Sequence, residues 1–123
     1  MDHEEVRLAV PAMPEYVRLA RLTAAGLASR LGFSFDEVED LRIAVDELCH
    51  LLVGPEGRAG AVALTFTIDG RGLVITGEGR AGPEPAELTE LSRQILAAVV
   101  DDYDVTHANG TITFRVVRYR HGS

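Results

Sequence analysis

The sequence predicts an α+β fold: a two-layer α/β sandwich in which a mostly antiparallel, mixed sheet is covered on one face by three helices. Three observations carry this reading. Two β-rich runs fold back around turn dipeptides, Asp69-Gly70 and Asn109-Gly110, which are strong short-range hairpin signals. Two helical patterns lie next to each other before the first hairpin, and a third separates the two hairpins. Strands joined by hairpins run antiparallel, and grouped helices can cover one face of the sheet they form.

Each element follows from local pattern. Val6, Leu8 and Val10 alternate with Arg7 and Ala9, a strand with one buried face, ended by Pro11 and Pro14. Pro14 suits the first turn of a helix running to about Leu31, with Tyr16, Leu19, Ala20, Leu22, Thr23 and Leu27 near its apolar side. Gly32 stops it. The second helix opens on a capping box, Ser34 with Glu37, and carries the stripe Val38, Leu41, Val45, Leu48 and Leu52. Asp36, Glu37, Glu39 and Asp40 crowd its N-terminal end, where negative charge is favoured. Gly54 to Gly60 is turn material. Strands follow over Ala61 to Ile68 and Leu73 to Thr76, then a Gly- and Pro-rich loop from Gly77 to Pro85. A third helix spans Ala86 to Val100, and a hairpin of Tyr103 to His107 and Thr111 to Tyr119 completes the chain.

At 123 residues the chain is sized for one domain, 1–123, burying about two-thirds of its unfolded surface. A net charge of −7 leaves no concentrated basic surface to displace counterions from nucleic acid. All 12 basic residues are Arg, which removes Schiff-base chemistry and the P-loop lysine. A lone Cys49 forms neither a disulfide nor a CxxC site, and the four His show no ligand spacing. The acidic N-terminus lacks an apolar core for a signal peptide, and no apolar run is long enough to span a bilayer. The expected location is the cytoplasm.

One side chain stands out. Glu47 lies nearly opposite the core stripe of the second helix, yet its neighbours four residues away on either side are Ile43 and Leu51. It is either a surface acid beside two incidental apolar residues or a carboxylate on a partly covered face, available as a base or as a contact for a partner. Asp101, Asp102 and Asp104 read as a solvated turn rather than a hard-metal site. Cys49 reads as a small buried hydrophobe, and His50 beside it cannot face it on a helix. Arg115, Arg118 and Arg120 on the last strand either pair with carboxylates or protect a sheet edge.

The stretch Ile43-Ala44-Val45-Asp46-Glu47, its place on the second helix, the element order and the closing DDYDV…NGTITFRV together resemble the RsbW/SpoIIAB group of anti-sigma factors. These are histidine-kinase-like serine kinases of the GHKL, or Bergerat, fold. The likeness runs from about Val6 to Val117, and DLRIAVDELC is similar to the actinobacterial branch. The resemblance implies ATP-Mg binding and phosphorylation of a serine on an anti-anti-sigma protein, with Glu47 as the general base. It implies a metal-ligating Asn four residues on, where this chain has Leu51, and an adenine-binding Asp where it has Gly77, followed by Gly79. A Gly-rich phosphate turn is implied around Thr89 to Ser92, where Glu90 and Ser92 stand instead.

With all three boxes altered and a short loop where a lid would be, the expectation is a degenerate member. It would need no cofactor, hold no metal, and bind a sigma factor and an anti-anti-sigma (STAS-type) partner. Arg18, Arg21 and the acids of the second helix are the candidate contacts. The resemblance also implies a homodimer through the sheet side, and no direct nucleic-acid or membrane binding. The alternative is an active serine/threonine kinase that uses ATP and Mg²⁺.

Overall fold

The computed structural model describes residues 4–82 and 87–121. In chain order these form β1 (Glu4–Pro11), a 3₁₀ turn (Pro14–Tyr16), α1 (Val17–Arg30), α2 (Phe35–Val53), β2 (Ala61–Asp69), β3 (Gly72–Arg80), α3 (Glu90–Val99), β4 (Asp102–Ala108) and β5 (Thr111–Tyr119). The five strands make one sheet ordered β1-β2-β3-β5-β4. Every neighbouring pair is antiparallel, so the expected mixed sheet is an antiparallel one.

Register sorts the side chains. Val10 pairs with Val62, Leu64 with Gly77, Gly77 with Phe114, Phe66 with Ile75, and Ile75 with Val116. All of these lie on one face, and their side chains are buried against the helices. The helices complete the core with Leu41, Val45, Leu48 and Leu52 from α2 and Leu96 from α3. The α2 stripe read from periodicity is therefore buried in full, with Val38 beside it. The second hairpin turn matches its sequence: Asn109 and Gly110 have φ of 53° and 77°, the paired positive values a type I′ turn demands. In the first hairpin Asp69 pairs with Gly72, so the turn is Gly70-Arg71 rather than Asp69-Gly70, and only Gly70 is positive, at 61°.

Three expectations change. The buried face of α1 is Val17, Ala20, Ala24 and Ala28, while Leu19 and Leu22 face outward. A run of alanines lets α1 approach α2 closely, so steric fit outweighs side-chain hydrophobicity in choosing the face. The segment from Gly77 is not loop: Gly77 to Arg80 continue β3, paired with Phe114 to Thr111. Neither Gly77 nor Gly79 has a positive φ; Gly77 serves through its missing Cβ, whereas a Cβ at Gly79 would make ordinary contact. The third helix begins at Glu90, not Ala86, and Ala86 and the Pro83 to Pro85 part of the expected loop lie outside the described residues.

The end of the chain is tied to the start of α2. Ser34 and Glu37 form both halves of the capping box, and the other Glu37 oxygen accepts the His121 backbone N–H at 2.6 Å. Arg118 reaches Asp40 at 3.1 Å and Asp101 at 3.6 Å, and Arg120 donates to the Leu31 carbonyl at 3.2 Å. Burial pushes the Glu37 carboxyl up, but backbone hydrogen bonds from Ser34 and His121, the Ser34 hydroxyl and the Arg118 charge outweigh it and hold it below its usual range. Asp101 is lowered in the same way: burial is outweighed by the Tyr119 N–H, His121 and Arg118. Of the last-strand arginines, Arg118 and Arg115 pair with carboxylates, the latter with Asp102 at 3.6 Å.

Candidate functional site

The capping box fixes where α2 starts, and its buried stripe fixes its rotation. Those two constraints turn Glu47 and Leu51 sideways, toward the start of α3. There Thr89 is the N-cap, its hydroxyl oxygen accepting the Ser92 N–H at 3.0 Å. The Thr89 hydroxyl donates to Ser92 Oγ at 3.0 Å, and the Ser92 hydroxyl in turn donates to Glu47 Oε1 at 2.7 Å. A chain of three side chains thus closes α3 onto α2. Around it is a cleft of about 260 Å³, lined by Glu47, His50, Leu51, Leu88, Thr89 and Ser92, with Glu87 at its side.

Glu47 is therefore in a cleft with a hydroxyl proton directed at its carboxylate. Leu51 lines the same wall and packs on the core as a partly buried hydrophobe. Gly77 and Gly79 do not line this cleft; they lie on the buried face of β3. A Cβ at Gly77 would stand 2.6 and 2.7 Å from two carbons of the Phe114 ring and 2.7 Å from Leu64 Cδ2. That space is filled by core side chains. At Gly79 a Cβ would meet Leu52 and Val62 at 3.6 Å, ordinary contact. Glu78 points to the opposite, exposed face.

Leu51 offers no oxygen to a metal, a carboxylate at Gly77 would have to displace Phe114, and the Thr89 side chain already engages an N–H at the start of α3. Among the described residues no group of three or more acidic, His or Cys side chains could hold a metal ion. Asp101 is held by Tyr119, Arg118 and His121, and Asp102 pairs with Arg115.

Other candidates resolve plainly. Arg21 forms an ion pair with Asp46 across the two helices, and His50 Nδ1–H donates to the Asp46 carbonyl at 2.8 Å. Cys49 faces the core, where burial, with Asp46 adding to it, pushes the thiol up to about 12. It is an inert hydrophobe, as its position on the helix predicted. Two residues escaped the sequence reading. Phe114 gave no local signal, since its role depends on pairing with Gly77. Thr89 did give one, a Thr three residues ahead of Ser92 at a helix start.

Residues 10–116 match the family model of the histidine kinase-like ATPase domain. The chain belongs to that family, in its RsbW/SpoIIAB group. Over 137 aligned positions it is 30% identical to serine-protein kinase RsbW of Bacillus cereus strain Q1, covering 94% of this chain and 85% of that protein. It is 42% identical over 79 positions to RsbW of Bacillus subtilis strain 168, covering 60% of this chain and 49% of that protein, and 44% identical over 68 positions to RsbW of Bacillus pumilus, covering 51% and 42%. In these two matches, the chain spans less than half of the relative's length. The fold is that of the crystal structure of the RsbU and RsbW domains of a Mycobacterium tuberculosis protein, with a TM-score of 0.75 at 13% identity, over 94% of this chain and 32% of that one.

The clasp gives a direct expectation. Ser92→Ala removes one part-buried, charge-assisted hydrogen bond and should cost about 1.5–3 kcal/mol, read as a lowered urea midpoint at unchanged slope. An unaltered midpoint would mean the Glu47 carboxylate is satisfied by solvent instead.

Proposed function

We propose that this chain is an anti-sigma-type regulator that acts by binding, with nucleotide turnover weak or lost. The observation that carries this reading is the filling of the Gly77 site by Phe114 and Leu64. It would sequester a sigma factor and release it when an anti-anti-sigma protein competes. Charge would steer the acidic chain to basic regions of its partner, and apolar contacts would supply most of the affinity. Exposed Leu19 and Leu22 on α1 and Ile43 on α2 offer such contacts, with Arg18 among them; Arg21 is held by Asp46 and contributes less. No helix among the described residues is long and apolar enough to cross a membrane. A cytoplasmic location and a homodimer over the open sheet face complete the proposal.

A second reading, an active serine/threonine kinase, is favoured by one contact. The Glu47 carboxylate accepts the Ser92 hydroxyl with the two oxygens 2.7 Å apart, the reach a general base needs. A thermal shift with millimolar ATP or ADP, with and without Mg²⁺, separates the two. The expected result is no shift. Saturation at roughly 100 times the dissociation constant would stabilise by about 2.7 kcal/mol, and a Mg-dependent shift of that size would restore the kinase reading with Glu47 as its base.

A further inference from the structure

The sheet ends in β4, whose outer side carries no strand among the described residues. Its partner β5 is joined to it by a two-residue turn, so Ala108 and Thr111 form the closing hydrogen-bonded pair. Counting back from that pair, Thr106, Asp104 and Asp102 bond to β5, while the N–H and C=O of Val105 and Tyr103 point away from it. The side chains of these same two residues are partly buried, and with Leu88 and Arg93 they line an open groove of about 530 Å³ between β4 and the start of α3. A free backbone edge therefore runs along a groove that can take alternate side chains.

The charge around the groove is one-sided. Glu87 and Glu90 stand on the α3 side and Asp104 on β4, against Arg93 in the groove, while Asp102 is already paired with Arg115 at 3.6 Å. Self-pairing of β4 between two copies would bring these acids together, and like charges on facing strands are unfavourable. The opposite edge is different. β1 ends in Pro11, which has no N–H to offer, and its charges are paired as Arg7 with Glu5 and Arg30 with Glu4.

We infer that the β4 edge is a docking site for an extended basic segment of another protein, which adds as a sixth strand and sets alternate apolar side chains in the groove under α3. Backbone pairing supplies the affinity of such a mode, and the groove and acidic rim supply the selectivity. The inference is independent of the nucleotide question.

The test uses the whole chain and a short labelled peptide alternating arginine and valine, with a glutamate–valine peptide as the control. The basic peptide should bind with an affinity that falls as salt rises, and the Tyr103 and Val105 amides should become protected from hydrogen exchange. Glu87→Arg combined with Asp104→Arg should weaken binding at least tenfold while leaving the melting temperature nearly unchanged. Equal binding of the two peptides, no binding at millimolar peptide, or protection elsewhere in the sheet would overturn the proposal. So would concentration-dependent protection of Val105 without peptide, which would assign the edge to a second copy.

Discussion

Gly77→Asp should destabilise the domain by about 3 kcal/mol or more, enough to lower the melting temperature by roughly 10 °C. The cause is twofold. The new Cβ would fall within 2.7 Å of the Phe114 ring and of Leu64, distances that require core side chains to move. The carboxylate would then sit on the buried face of β3 against Leu64 and Phe114, where the side chains that meet it offer no charge to offset its desolvation. Phe114→Ala alone leaves a cavity, expected to cost about 3–5 kcal/mol. In the double variant the two changes share one space, so their costs should be less than additive. Urea unfolding of the two single variants and the double variant measures this. Strictly additive losses would show that Phe114 does not occupy the place of a Gly77 side chain.

Glu37→Gln should cost about 2–4 kcal/mol, because one carboxylate serves two ends of the fold. It accepts the Ser34 N–H, completing the cap of α2, and the His121 N–H, fastening the end of the chain. An amide keeps one acceptor oxygen and presents an NH₂ where the second was. The pH dependence follows from the lowered carboxyls of Glu37 and Asp101. A carboxyl lowered by folding adds stability that is fully present above its unfolded value, about 4. That stability is lost as pH falls through the lower folded value. Unfolding free energy should therefore be level in these groups from about pH 5 to 8 and decline below about pH 5. Glu37→Gln should flatten part of the decline. An acid limb as steep as that of the parent protein would mean other carboxylates set it.

Much of this fold was legible because its signals are local. The capping box at Ser34 and Glu37, the α2 stripe and the Asn109-Gly110 turn are each written within a few residues, and each stands where the pattern put it. Glu47 was legible as an oddity, a carboxylate flanked by Ile43 and Leu51. Its partner was not, since Ser92 is 45 residues away and its hydroxyl arrives only when α3 packs on α2. Leu51 could be read at once as unable to bind a metal, because that follows from side-chain chemistry alone.

The sequence by itself determined the layered α+β architecture, the position and rotation of α2, both hairpins and membership of the family, since turn chemistry and hydrophobic period act over short stretches of chain. The tertiary structure alone decided that α1 buries its alanines, that Gly77 to Arg80 stay in the sheet, that Phe114 fills the space beside Gly77, and that Ser92 closes over Glu47. Each of those depends on how closely two distant segments can approach, and in a close-packed interior that distance is set by the shapes of both.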